Sequence, residues 1–186
     1  MNMTTLQQGR PADTTGRLPV EIACYDLLDK LGIEYGRVDH EEAATLEACE
    51  AVDVALGTVI CKNLFLCNRQ KTQFYLLLIE GNKVFKTKYL SQQLGCSRLS
   101  FAAPEDMERL LGVTPGSATV LALMNDPENA VQLVIDRPVT QQEYIGCHPC
   151  KNTSSLKIRT PDVLDTFLPA VHHEPIYVEL PVEEEA

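Results

Sequence analysis

Apolar positions recur at helical spacing in some stretches of the chain and in short continuous runs in others. Leu18, Ile22, Tyr25, Leu28 and Leu31 share one helical face, with Pro19 suited to the first turn and Gly32 to the end. Glu34 to Asp39 predicts a short strand, and Thr45 can cap a second helix reaching about Val54. Val59 to Cys67 and Gln73 to Ile79 are rich in aliphatic and aromatic residues and predict strands. Glu80-Gly81-Asn82 then predicts a turn into a third extended run, Lys83 to Phe85. Thr87 to Leu94 predicts a short helix stopped by Gly95, and Pro104 opens another over Glu105 to Leu111, stopped by Gly112. Val131 to Asp136 predicts a buried strand, with shorter ones at Tyr144 to Cys147 and Leu156 to Ile158. Thr160-Pro161-Asp162 starts a helix carrying Leu164, Phe167, Leu168 and Val171, and Ile176 to Leu180 predicts a last strand.

Strands and helices mix without strict alternation. The expected class is therefore α/β of the mixed, α+β kind: a central mixed β-sheet with surrounding helices. No repeat and no long linker divides the chain, and 186 residues suffice for one core. The expected organisation is a flexible tail over 1–16, one domain over 17–180 and an acidic tail over 181–186. No run of roughly eighteen uncharged apolar residues predicts a membrane span. Met1 to Gly16 lacks the basic start and apolar middle of a signal peptide, so a cytoplasmic location is expected.

The formal charge of −10 argues against a nucleic-acid partner until its distribution is considered. Residues 61–100 carry Lys62, Arg69, Lys71, Lys83, Lys86, Lys88 and Arg98 against Glu80 alone, whereas both flanks are strongly acidic. A basic stretch of this kind is either a solvated face or a local phosphate-binding surface.

Seven scattered cysteines in a cytosolic chain read mostly as small buried hydrophobes or reduced thiols. Cys147-His148-Pro149-Cys150 could be a redox dithiol or half a zinc site. However, a loop follows it rather than a helix, and no second C-x-x-C exists. Read instead as a polar loop, Gly146 to Ser155 offers an imidazole, a carboxamide and three hydroxyls for a small polar ligand, or a turn bonding its own backbone. Lys62 lies in an apolar strand, where it either faces solvent by alternation or holds an anion. The turn Gly112-Val113-Thr114-Pro115-Gly116-Ser117 lacks the ending of a P-loop but can expose backbone amides. No Ser-His-Asp pattern, H-E-x-x-H or G-x-S-x-G is present, so any catalysis must be light on general acids and bases.

Lys62-Asn63-Leu64-Phe65-Leu66, then Gly112-x-x-Pro115-Gly116, then Gly146-x-His148-Pro149-x-x-Asn152-Thr153, in this order, resemble the prolyl-tRNA editing family of YbaK-like domains. The length and the His-Pro-Cys-x-Asn-Thr segment resemble most its free-standing PrdX or ProXp-ala group. The resemblance runs from about Leu18 to Leu180 and implies a YbaK-like fold. It also implies trans-editing: hydrolysis of the ester on mischarged tRNA(Pro), alanine being the implied amino acid, by positioning and substrate-assisted water attack. It maps the catalytic lysine onto Lys62, beside the terminal adenosine. Substrate contacts map onto Asn63, Gly112, Pro115, Gly116, Ser117, His148, Pro149, Asn152 and Thr153. It implies no cofactor and no metal, aminoacylated tRNA(Pro) as partner and prolyl-tRNA synthetase as a transient one. In its light Lys83, Lys86 and Lys88 become expected tRNA-backbone contacts. The alternatives are an inactive tRNA- or amino-acid-binding regulator of the same fold, and a redox or zinc protein using Cys147 and Cys150.

Overall fold

A computed structural model describes residues 1–183. Two sheets are built from nine strands: β1 Gln7–Gln8, β2 Tyr35–Asp39, β3 Lys62–Asn68, β4 Phe74–Ile79, β5 Leu99–Phe101, β6 Val131–Asp136, β7 Tyr144–Cys147, β8 Ser154–Arg159 and β9 Ile176–Val178. The first sheet, in order β1-β2-β8-β7, is antiparallel throughout. The second, in order β5-β3-β4-β6-β9, is mixed: β5, β3 and β4 pair antiparallel, and β4, β6 and β9 pair parallel.

The helices are α1 Pro19–Lys30, α2 Leu46–Leu56, α3 Thr87–Leu94, α4 Pro104–Leu111, α5 Arg137–Thr140 and α6 Leu168–Ala170. Pro19 and Pro104 sit in the first turns of α1 and α4, where a missing N–H costs nothing. Thr45 caps α2 by accepting the Ala48 N–H at 3.1 Å. None of these helices is long and apolar enough to cross a membrane.

The continuous apolar run of β4 has a simple cause. Leu76 and Leu78 face the larger core with Tyr25, Leu28, Phe65, Leu121, Leu133, Leu156 and Ile158. Leu77 and Ile79 face a second core with Leu66, Leu90, Leu99, Val134 and Val178. A strand buried on both faces shows no alternation, and each fully buried Leu contributes roughly 1.5–3 kcal/mol.

The sheets meet where Ile60 bridges to Gly146, and the Cys61 N–H donates to the Gly146 carbonyl at 3.0 Å. A Cβ on Gly146 would lie 3.0 Å from the Ile60 Cα and 3.1 Å from the Val59 carbonyl oxygen, so a larger residue there would have to push the junction apart by a few tenths of an ångström.

Several expectations change. The mixed class stands, but the framework is two sheets rather than one. Residues 1–16 do not form a free tail: Gln7–Gln8 pairs with β2, Met3 bridges to His40, and the Arg37 guanidinium donates to the Gly9 carbonyl and the Gln7 side chain. These polar residues carry no apolar signal because β1 is an exposed edge held by backbone bonds and one arginine. Lys83 to Phe85 is not a strand, and β3 begins at Lys62 rather than Val59. The last helix is wound as a π-helix over Asp162–Phe167, the Leu168 N–H reaching back to the Val163 carbonyl. In the expected acidic tail, Glu183 pairs with Lys86, while residues 184–186 lie outside the described residues.

Candidate active site

Lys62, the first residue of β3, stands at the end of the sheet opposite Ile79 of β4. Its ammonium donates to the Lys83 carbonyl at 2.8 Å, which aims an otherwise exposed side chain. The strut behind that carbonyl is buried. Lys83 Nζ lies 2.6 Å from Asp136 Oδ2, and Asp136 Oδ1 accepts the Leu180 N–H at 2.8 Å. Lys83 was expected on a phosphate-facing surface; it is instead 6% exposed and committed to Asp136. Strand alternation could not reveal this, because the partner lies in a distant strand.

The loop from β7 to β8 supplies His148 and Asn152. His148 Nδ1 is 2.9 Å from the Ser154 carbonyl, which can only accept, so Nδ1 carries the proton and Nε2 keeps a lone pair. Burial lowers the His148 pKa below the ordinary imidazole value; the Ser154 bond opposes this, and His40 adds to the lowering. His40 extends the array. Its Nδ1–H donates to the Glu41 carbonyl at 2.7 Å, and its Nε2 accepts the Ser155 hydroxyl at 2.8 Å. That hydroxyl lies 3.4 Å from His148 Nδ1. Nothing in the local sequence marks His40, which is brought to His148 by the pairing of β2 with β8.

Below the loop, Ser154 donates its hydroxyl to Asp39 at 2.6 Å, and Arg17 bridges Asp39 and Glu21. Arg37 also pairs with Asp39. Burial raises the Asp39 pKa, but the bonds from Arg17, Ser154 and Arg37 outweigh it and hold the carboxyl below its ordinary value.

Two adjoining clefts open around these residues. One, of about 410 Å3, is lined by α2 and its flanks, including His40, Leu46, Glu50, Val52, Asp53 and Ile60. The other, of about 320 Å3, is lined by Asn63, Phe65, Phe101, Met107, Pro115 and Ala118. Lys62, Gly116 and His148 line both and form their common wall. Asn152 borders the first cleft and Asn63 the second. The amide oxygen of each is buried without a hydrogen-bond partner. Such orphan acceptors are costly in a folded protein and suit a ligand that brings donors.

Ser117, Thr153, Pro149 and Gly112 support the clefts rather than line them. Ser117 is fully buried and accepts the Asn152 N–H at 3.1 Å. The Thr153 carbonyl accepts the His40 N–H at 2.9 Å, and Pro149 is buried. Gly112 ends α4, facing the Asn125 amide. Gly116 has φ +88°, and a Cβ there would come within 3.2 Å of the Asn152 amide nitrogen. Lys86 and Lys88 are exposed but line a different groove.

Cys147 and Cys150 are buried, and burial raises the Cys147 thiol far above its ordinary value. Burial also pushes Cys61 up to about 12. Among the described residues, no three His, Cys, Asp or Glu side chains converge as a metal site.

The profile of the aminoacyl-tRNA editing domain matches residues 40–166. The chain belongs to the aminoacyl-tRNA editing domain family. The matched span runs from His40 to the last helix and so contains both clefts and their common wall. The editing domain is 28% identical over 136 residues to the prolyl-tRNA editing protein ProX of Acetoanaerobium sticklandii, covering 73% of this chain and 83% of that protein. It is 32% identical over 153 residues to prolyl-tRNA synthetase associated domain-containing protein 1 of Danio rerio, covering 81% and 82%. A crystal structure of a proposed trans-editing enzyme for prolyl tRNA synthetase superposes with a TM-score of 0.64. At 15% identity, over 90% of this chain and 99% of that one, it shows a shared fold. The family resemblance carried by the three motifs thus holds, and the chain stands among aminoacyl-tRNA editing enzymes.

Proposed function

We propose that this protein is a free-standing deacylase that hydrolyses the ester of mischarged tRNA(Pro), with alanyl-tRNA(Pro) as its main substrate. The observation that carries the reading is the pair of clefts sharing Lys62, Gly116 and His148. An aminoacyl-adenosine ester has two chemically different groups, a charged aminoacyl group and a nucleoside, on either side of one reactive carbonyl, and two clefts with a common wall suit that arrangement. The relatives named for prolyl-tRNA editing and for association with prolyl-tRNA synthetase support the choice of tRNA.

Charge supports an orientation. The α2-side cleft carries Glu50 and Asp53, which suit the α-ammonium of the aminoacyl group and repel phosphate. The other cleft is lined by no carboxylate and offers Phe65, Phe101 and Met107 to the adenosine. Lys62, anchored on the Lys83 carbonyl, is then a fixed positive charge at the junction, suited to stabilising the developing oxyanion or the neighbouring phosphate. His148 is neutral, with Nε2 as an acceptor, and can take a hydrogen bond from the ribose hydroxyl or the attacking water. An aminoacyl ester is already activated, so positioning and charge stabilisation suffice without a protein nucleophile. Selection of alanine over proline would rest on steric exclusion of the larger residue, which discriminates more sharply than a missing methylene, worth only about 1–3 kcal/mol.

The test is a panel of aminoacyl-tRNAs, varying amino acid and tRNA separately, with ester loss followed over time. Alanyl-tRNA(Pro) should disappear fastest, and prolyl-tRNA(Pro) should persist. If none of the esters is lost faster than in buffer alone, the reading is wrong.

A further inference from the structure

Beside the candidate site lies a larger open groove of about 660 Å3, lined by Phe85, Lys86, Lys88, Ser91, Arg98 and Phe101 among others. Three features of it bear on what it holds. First, Phe101 at the end of β5 is 62% exposed, and Phe85 meets it edge-on at a centroid distance of 6.4 Å. An exposed aromatic face costs free energy in water and is a platform on which a base can stack. Second, the groove carries three cations and no carboxylate among its lining residues. Lys86 is paired with Glu183 at 2.5 Å, Lys88 lies 4.8 Å over the Tyr89 ring, and Arg98 has no ion pair among the described residues. Third, Phe101 also lines the carboxylate-free cleft that holds Lys62, so the groove and that cleft adjoin at this ring.

We propose that this groove holds the unpaired nucleotides that precede the terminal adenosine of the tRNA, with one base stacked on Phe101 and phosphates beside Lys88 and Arg98. The proposal rests on the deacylase reading for the identity of the strand and goes beyond it in naming the path. Isolated surface lysines usually form only a solvated face. Here they share a groove with an exposed ring, and that ring also lines the cleft assigned to adenosine. Aromatic stacking between cations is the general means of holding single-stranded nucleic acid. Glu183 at the rim marks the position at Lys86 where a phosphate would have to displace a carboxylate.

The experiment uses the full chain and uncharged RNA, so its readout does not depend on hydrolysis. A 5′-labelled minihelix with a single-stranded CCA end is titrated by fluorescence anisotropy at several salt concentrations. Phe101→Ala should weaken binding roughly tenfold, the range for losing one base–aromatic stack. Lys88→Ala with Arg98→Ala should flatten the plot of log K against log salt by about 1.4, at ~0.7 per single-strand phosphate contact. Lys30→Ala, a charge change on α1 outside the groove, should leave the slope unchanged. All these side chains are exposed, and circular dichroism verifies folding.

Wild-type affinity and slope in both groove variants would overturn the path. So would failure of the wild type to bind the minihelix, or equal affinity for an oligoglutamate peptide that Phe101→Ala does not alter. Hydrolysis with groove-independent binding would overturn this proposal alone. Groove-dependent binding without hydrolysis would overturn the deacylase reading and leave the groove standing.

Discussion

Asp136→Asn tests the strut behind Lys62. The Lys83 ammonium and the Asp136 carboxylate lie 2.6 Å apart, with side chains 4% and 0% exposed. The asparagine keeps the volume and still offers Oδ1 to the Leu180 N–H, so the change isolates the lost charge. An ammonium left unpaired in the core costs roughly 3–5 kcal/mol, a large part of the ~5–15 kcal/mol that stabilises a typical domain. Urea unfolding should therefore show a much lower midpoint at an unchanged slope. Lys83→Met combined with Asp136→Asn removes both charges and should recover most of the loss, because a buried pair and an apolar replacement are often close in free energy. The double variant should also keep Lys62 anchored, since the anchor is the main-chain carbonyl of residue 83. A loss below about 1 kcal/mol in Asp136→Asn would refute the reasoning. So would a double variant no more stable than the single one.

Lys62→Ala should reduce deacylation by roughly 100-fold or more, the scale for losing one pre-set charge-stabilising group, while unfolding shifts by under ~0.5 kcal/mol. Full activity in that variant would remove Lys62 from the mechanism. His148 has a folded-state pKa below its ordinary value of 6.5. As pH falls below that value the unfolded chain takes up a proton that the folded chain does not, so folded stability should drop progressively until the folded pKa is passed. His148→Asn should lose less stability than wild type over this window in parallel pH–urea scans; identical slopes would contradict the assigned neutral state. Gly146→Ala should cost about 1–3 kcal/mol by pressing a methyl group onto Ile60, measured as a lowered melting temperature.

Much of the framework could be read from local signals. Val131–Asp136, Tyr144–Cys147 and Thr87–Leu94 have the boundaries that their apolar runs and stop residues indicate. The proline-opened starts of α1 and α4 also follow local rules. What escaped is set by partners distant in the chain. β1 has an exposed polar sequence and exists because the edge of β2 is free to accept it. β5 is three residues long, too short for a period to register. In the site, Lys62, His148 and Asn152 stand out by residue type and order. By contrast, His40 and Asp136 enter through strand pairing that no spacing rule reports. Lys83 shows the reverse error: a basic residue in a basic stretch suggests solvent, yet its ammonium is buried against a carboxylate 53 residues away.

The distribution of charge around the two clefts answers the difficulty of an acidic protein acting on RNA. The net charge of −10 describes the whole chain, whereas a bound strand is governed by charges within a Debye length, about 8 Å at physiological salt. Glu50 and Asp53 border only the α2-side cleft, and Lys86, Lys88 and Arg98 border only the groove beyond Phe101. Lys62 stands between them. A substrate entering backwards would set phosphates against two carboxylates and its ammonium against three cations, so reversal is opposed at both ends. Acidic surfaces elsewhere would also disfavour adventitious phosphate contacts and shorten the life of misplaced complexes. For an enzyme that must sample many correctly charged tRNAs and retain few, weak overall attraction with a locally polar site is the more useful arrangement. It predicts that raising salt slows the reaction through KM while leaving kcat nearly constant. A salt effect confined to kcat would place the sensitive charges at the reacting bond instead.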